Sequence, residues 1–345
     1  MVGGTSGDKV RLLDIATLDK ASAYGVLSAY EGVYFATGAI QFGTGATAHH
    51  FEMDGQVLAF IEKNVAAGLY GLSGVGSGTN INIVSSVLRS TGTGANTRFA
   101  IDFSDTNLAS CVFTDNLVVR ASTIAFASGV DARRNTFDDC GQITPGGADI
   151  RDCSVLNYEG TTDTSAIVYN ETADPSGEFD GMSVTKGTAA THAIEFGLSS
   201  PTSITLNGLS FSGYNASNGQ NDSTLYFART SGTVTVNLSG VSGNVSYKTA
   251  GATISLVNST TLTLTGLKNP TEVRVFSAGT TTEIAGQEDV TTGTFSTGID
   301  AATYPNVDIA IIALGYQNIR LLNISMSSDQ SIPVQQQLDR QYENP

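Results

Sequence analysis

From Ile83 onward, one short arrangement of apolar and polar positions keeps returning. It reads apolar, two spacers, small or apolar, one spacer, apolar. It occurs as "IVSSVL" from Ile83, "LASCVF" from Leu108, "ARRNTF" from Ala132, "IRDCSV" from Ile150, "FDGMSV" from Phe179, "LNGLSF" from Leu206 and "LSGVSG" from Leu238. A second series lies between these and pairs an apolar residue with an aromatic two places on. Its members are Ile101 with Phe103, Ile124 with Phe126, Ile167 with Tyr169, Ile194 with Phe196, and Leu225 with Phe227. In "GQITPG" the series keeps only Ile143. Alternation with a period of two is the signature of a strand with one buried face.

Two short strands per repeat, separated by Gly, Asn and Asp turns, predict an all-β fold built as a parallel solenoid. One repeat cannot bury its own apolar face, so successive repeats stack at about 4.8 Å and place equivalent side chains over one another. The predicted interior column runs Ser86, Cys111, Asn135, Cys153, Met182, Leu209, Val241. Its neighbour runs Leu88, Phe113, Phe137, Val155, Val184, Phe211. The cysteines fill such positions as small hydrophobes. The first series steps by 18 to 32 residues. That spread favours a β-solenoid, which tolerates loops on its outside, such as 157–164 and 213–222.

The pattern divides the chain into four parts. Residues 1–80 are an N-terminal cap or attachment segment with the first rungs, "GVYFATGAIQFG" and "GQVLAFIEKN". Within them "KVRLLDIATLDKASA" reads as a short amphipathic helix, with Val10, Leu13, Thr17 and Leu18 on one side. Residues 81–257 are the solenoid. Residues 258–327 carry longer regular strands ("TLTLTGL", "EVRVFSA", "VDIAIIAL", "NIRLLNISM") and read as a small C-terminal antiparallel β-sandwich. Residues 328–345 form an extended tail. It spaces Ile332, Val334, Leu338 and Tyr342 along a polar segment, an arrangement suited to burial in a neighbouring subunit.

Composition narrows the function. Net charge is −15, which argues against a nucleic-acid partner and against docking on an anionic membrane. Three cysteines without a CxxC pair point to neither a disulfide framework nor a zinc site, and no cofactor motif is present. "GLYGLSGVGSGTN" lacks the endings of a phosphate loop. No leader-like apolar run opens the chain. His49 and His50 have no ligand-type spacing to a further His or Cys, and His192 reads as a solvent-facing residue at the start of a strand.

Carboxylates are the remaining candidates for chemistry. The rung alignment sets Arg133, Arg151 and Asp180 in one outward column and Arg134 with Asp152 in the next, with Asp138 and Asp139 at the end of the same rung. As a catalytic group these would be acid–base carboxylates with arginine helpers acting on a glycan. Read structurally, they are a ladder of opposite charges between rungs, since the columns set basic against acidic residues.

The rungs "DCSVLNY" and "NGLSFSG" resemble the stacked coils of right-handed parallel β-helix proteins. The C-terminal stretch from "LTLTGLKNPTEVRVFSAGTTTEIAGQED" through "SIPVQQQLDRQYENP" resembles the end of structural proteins encoded by tailed bacteriophages. The resemblance implies a right-handed parallel β-helix in a virion protein, of capsid-decoration, head-fibre, tail-fibre or tailspike-like type. Such a protein is non-enzymatic, assembled in the host cytoplasm and exposed on the particle. Its partners would be other virion proteins, further copies of itself (a homotrimer is favoured) and in some cases a host-surface glycan. The alternatives are a polysaccharide depolymerase or lyase on the same fold, or a cell-surface adhesin.

Overall fold

The computed structural model describes residues 9–12, 27–36, 38–43, 50–61, 71–92, 98–301 and 303–339. Every regular element among them is a strand. The chain forms two compact units: residues 1–234 with 241–254, and residues 235–240 with 255–345.

In the first unit, successive repeats each contribute strands to the same parallel sheets. One sheet has ten strands, running from Lys9–Leu12 through Ala39–Phe42, Gly71–Gly74, Phe99–Phe103, Ala121–Phe126, Gln142–Thr144, Ser165–Tyr169, His192–Phe196 and Leu225–Phe227 to Tyr247–Thr249. The second has nine, and is parallel except for the hairpin of Ser28–Tyr30 with Val33–Ala36 at its start. It continues through Val57–Phe60, Val87–Ser90, Leu117–Val119, Thr136–Asp138, Ser154–Leu156 and Ser183–Thr185 to Ser210–Ser212. A third, of His50–Asp54, Asn80–Val84 and Ser110–Thr114, is extended by single bridges from Val112 to Asp131 and from Asp131 to Asp149.

The register explains the sequence pattern. In the ten-stranded sheet Ile101, Ile124, Ile143, Ile167, Ile194 and Leu225 are direct partners, and all are buried. Tyr169, Phe196 and Phe227 stack in the same way two residues on, with the Phe196 and Phe227 ring centroids 5.3 Å apart. Each such side chain contributes about 1.5–3 kcal/mol by leaving water. In the nine-stranded sheet the buried column runs Leu58, Leu88, Val118, Phe137, Val155, Val184, Phe211.

Val118, not Phe113, is the second level of the predicted column, directly after Leu88, and Asn116, not Cys111, is its small inner residue. Phe113 and Cys111 belong to the three-stranded sheet, where they lie on Ile83 and Ile81. The stretch 108–119 holds two strands of similar alternation, and the inner residue of the second is polar. An apolar template therefore selects the wrong one. Val241 keeps its predicted register, as Ser242 bridges Ser210, but it is only half-buried.

One residue in the left-handed backbone region turns the chain into each strand of the nine-stranded sheet from Val57–Phe60 to Ser210–Ser212. These residues are Gly55, Ser85, Asp115, Arg134, Asp152, Gly181 and Gly208. From Gly55 to Gly181 their N–H groups bond the carbonyls of Val84, Thr114, Arg133, Arg151, Asp180 and Asn207 on the following repeat, so the turns stack as well as the strands. A different glycine is fixed by close approach. At Gly141 a Cβ would lie 1.9 Å from the Ser122 carbonyl oxygen. Gly141→Ala is expected to destabilise the protein by about 3 kcal/mol or more, because backbone must move. An unchanged midpoint in chemical unfolding contradicts this.

Lys9–Leu12 does not form the helix expected there. It is a strand, with Val10 opposite Ile40. Lys-Val-Arg-Leu also alternates with a period of two, and the edge of Ala39–Phe42 offers backbone partners. Residues 13–23, the rest of that expected helix, lie outside the described residues.

The second unit has an antiparallel sheet in the order Glu283–Val290, Thr271–Ser277, Asn306–Ile312, Ile319–Ser325. In its other sheet, Ser259 to Thr265 pair antiparallel with Thr294–Asp300, and Leu262 to Thr265 pair parallel with Gln330–Pro333. Leu262, Leu264, Val273, Val275, Phe295, Ile309, Met326 and Val334 form the buried core. The tail is thus partly structured within its own unit. Ile332 pairs with Leu264, and the Val334 N–H bonds the Thr265 carbonyl.

Candidate functional site

The charged face begins with a short local rule. In "DARRN" and "DIRDC" an aspartate precedes an arginine by two residues, and the two stretches stack eighteen residues apart through the Asp131–Asp149 bridge. Residues two apart on an extended chain point the same way, so each arginine folds back onto its own aspartate. Arg133 holds Asp131 through two bonds of 2.7 Å, and Arg151 holds Asp149 through bonds of 2.9 and 2.7 Å. Arg133 also reaches Asp149 at 3.6 Å, which links the levels. Arg134, at a turn, clasps Asp115 of the preceding repeat at 2.7 and 2.8 Å.

The third level departs from the rule. "EFD" replaces Asp-x-Arg, so Glu178 stands where Asp131 and Asp149 stand, and Asp180 stands where the arginines stand. Glu178 has no guanidinium to receive. Its Oε2 is buried without a hydrogen-bond partner. Burial, then the charges of Asp149, Glu171 and Asp174, raise its pKa above the ordinary carboxylate value. At Asp149 burial acts upward too, but the hydrogen bonds from Arg151 outweigh it and hold the carboxyl below that value. Neighbouring levels thus carry one carboxyl biased towards its acid form and one towards its base form. Acid–base chemistry uses that division.

The remaining sequence-predicted residues separate into different places. Asp180 accepts from the Gly177 N–H and from Asn207 Nδ2, both at 3.3 Å. Asp152 is an exposed turn residue lying against Gly181. Asp138 and Asp139 lie at the far end of the strand that Arg133 precedes. There Asp138 accepts from Asn157 at 2.9 Å. Asp139 joins Arg98 at 3.0 Å and Arg120 at 2.7 Å, and Arg98 also meets Glu159 at 2.9 Å. The expected single cluster is therefore two, divided by a buried strand.

Sequence reasoning missed Asp115, Asp131, Asp149, Glu178, Arg98 and Arg120. The Asp-x-Arg spacing was the available signal for Asp131 and Asp149, and its failure at "EFD" was the signal for Glu178. For Arg98 and Arg120, which reach Asp139 from other repeats, the sequence offers no comparable spacing.

The Arg134 bond is the main cause holding Asp115 below the usual carboxylate value. A carboxyl depressed in the folded state stabilises it above the ordinary pKa, and that contribution is lost as pH falls through the folded value. Arg134→Gln is expected to move the Asp115 titration upward, read by NMR. An unmoved titration would show that the pair carries no coupling.

His192 is fully buried, contrary to the solvent-facing expectation. Its ring lies on Tyr226, with Nδ1 2.5 Å from the Ser223 carbonyl and Nε2 3.0 Å from Asp163, which also binds Lys248 Nζ at 2.5 Å. The side chain turns inward, where Ser223 and Asp163 lie within hydrogen-bond distance of its two ring nitrogens. His50 pairs with Glu52 at 3.1 Å, and His49 lies outside the described residues.

All three cysteines are free and buried, and burial pushes each thiol up to about 12. Among the residues expected to meet a partner, Val334 is committed to its own core, which corrects its assignment to an interface. Ile332 is half-buried, Leu338 is exposed, and Tyr342 lies outside the described residues.

Compared with protein-family models, curated proteins and solved structures, the chain matches none.

Proposed function

We propose that this protein is a non-enzymatic structural component of a tailed-phage virion. It would present a right-handed parallel β-helix, followed by a small antiparallel β-sandwich, at the particle surface. The observation that carries the structural role is the filled charge ladder. Arg133, Arg134 and Arg151 each have both sides of the guanidinium fork occupied by the chain's own Asp131, Asp115 and Asp149. Guanidinium groups so engaged are held by the chain's own carboxylates, within a repeat at Arg133 and Arg151 and between repeats at Arg134, instead of facing a substrate. The long in-register sheets support a rigid presenting element. The likeness of the C-terminal stretch to the ends of phage structural proteins directs the reading to a virion, with further copies of the chain and other virion proteins as partners.

The test is a density map of intact particles, together with particles assembled without this chain. Density matching the stacked sheets on the particle, lost when the chain is omitted, is the expected result. Its absence from purified particles sinks the proposal.

A second reading, a polysaccharide depolymerase or lyase, is favoured by one observation: the unpartnered, raised Glu178 beside the depressed Asp149. Cleavage of host polysaccharide by purified protein, abolished in Glu178→Gln, would establish this reading over the first. Asp152→Asn and Asp180→Asn are expected to leave any such cleavage unchanged.

A further inference from the structure

The antiparallel sheet of the second unit ends in two unpaired strands. Among the described residues, Glu283–Val290 pairs only with Thr271–Ser277, and Ile319–Ser325 pairs only with Asn306–Ile312. A free edge is a row of backbone donors and acceptors ready for another strand. The two edges match in length, at eight and seven residues. They differ in charge. Glu283, Glu288 and Asp289 lie on the first edge with no basic residue, and Arg274 alone serves Glu272, Glu283 and Glu288. The second edge carries Arg320 and no carboxylate. The nearby Asp308 carboxylate is taken by the N–H groups of Gly279 and Asn323. The second edge is also apolar where it meets solvent: Leu322 is 63% exposed, and Leu314, in the turn before the strand, is 83% exposed.

We propose that the Ile319–Ser325 edge of one copy pairs with the Glu283–Val290 edge of the next, joining subunits head to tail through continuous antiparallel sheet. Charge selects this arrangement. Pairing Ile319–Ser325 with itself brings two Arg320 side chains into an interface where neither strand has a carboxylate, whereas head-to-tail antiparallel pairing sets Arg320, near the start of its strand, towards Glu288 and Asp289 at the end of the other. Strand direction agrees. Four strands that alternate throughout leave the two edges antiparallel to each other, so a rotation about an axis along the strands continues the alternation into the next copy. Contacts of this type close only as rings of three or more copies, and otherwise run on as a fibre. The inference goes beyond the virion reading and does not depend on it.

The experiment is light scattering on the purified full chain. The expected mass is at least threefold that of the 35.8 kDa chain. Arg320→Glu is expected to reduce it to the mass of one chain with unchanged circular dichroism, and adding Asp289→Arg in the same chain to restore it. Should Arg320→Glu fail to fold, Leu322→Ser on the same exposed edge is expected to weaken assembly at least tenfold in the concentration required. A wild-type mass of one or two chains, or a mass unaffected by these changes, overturns the proposal. Particle incorporation is measured separately, so assembly without incorporation counts against the virion reading alone.

Discussion

Leu209→Asp is expected to unfold the first unit. Leu209 is fully buried at the inner position of its repeat, directly after the left-handed turn at Gly208. The backbone on either side is fixed: the Ser242 N–H bonds the Leu209 carbonyl, and the Ser210 N–H bonds the Met182 carbonyl, both at 2.8 Å. Met182, at the equivalent position of the preceding repeat, and Phe211, two residues on, are buried as well. A carboxylate placed there has no partner, and taking on a proton instead still leaves a buried acid among apolar atoms. The cost exceeds about 4–5 kcal/mol, comparable with the entire stability of many domains. Leu209→Ala separates charge from lost volume and is expected to cost about 2–5 kcal/mol. Chemical unfolding of both variants is the measurement. A folded aspartate variant of near-native stability would mean that this position opens to solvent.

Asn135→Leu is expected to be nearly as damaging, for the opposite reason. Asn135 is buried in a ladder of polar groups that ties successive repeats together. The Ser86 N–H donates to Asn116 Oδ1 at 3.0 Å, the Asn116 N–H to Asn135 Oδ1 at 2.9 Å, and the Asn135 N–H to Cys153 Sγ at 3.4 Å. Asn135 Nδ2 also serves the carbonyls of Phe113 and Ala132 at 2.6 and 2.7 Å. Leucine fills similar space yet leaves the Asn116 N–H and the Phe113 carbonyl unanswered, each costing about 1–3 kcal/mol, while the Ala132 carbonyl keeps the Cys153 thiol at 3.0 Å. The expected loss is therefore about 2–6 kcal/mol. Pairing this change with Asn116→Ala should cost less than the two separate losses added, because the changes share a bond. If the leucine variant unfolds at the wild-type midpoint, the ladder is packing and nothing more.

These two residues also show what the sequence could disclose. Leu209 was legible: it is apolar, recurs in phase with Met182 and Cys153, and sits one place after a turn glycine. The Ile101-to-Leu225 series was legible for the same reason, since inner residues repeat one chemistry at every level. Asn135 was placed correctly only because its neighbours, Ala132 and Phe137, are apolar. Asn116 was missed because the wall it stands in is polar, and apolar periodicity does not register a buried amide whose partners lie nineteen and thirty residues away. The charged face shows the same limit. The columns of like position were readable, but Arg133 and Arg151 fold onto an aspartate two residues back along the strand, and of these arginines only Arg134 is paired by its bonds to a carboxylate of another level, Asp115. His192 opens a strand just as a solvent-facing residue would. Its burial depends on Asp163 and Ser223, supplied by two other repeats.

The graded inner column has one more consequence. Its occupants run Ser86, Asn116, Asn135, Cys153, Met182, Leu209, a different side chain at nearly every level. A stack of interchangeable strands could assemble one level out of step and still bury its isoleucines, since these look alike from Ile101 to Ile194. With the column out of step, an amide would face a thioether, or a backbone N–H would face a methyl group, and the displaced arrangement would lose several hydrogen bonds at once. The column thus works as an address. It tells each repeat which neighbour is its own, information that the uniform apolar columns beside it do not carry.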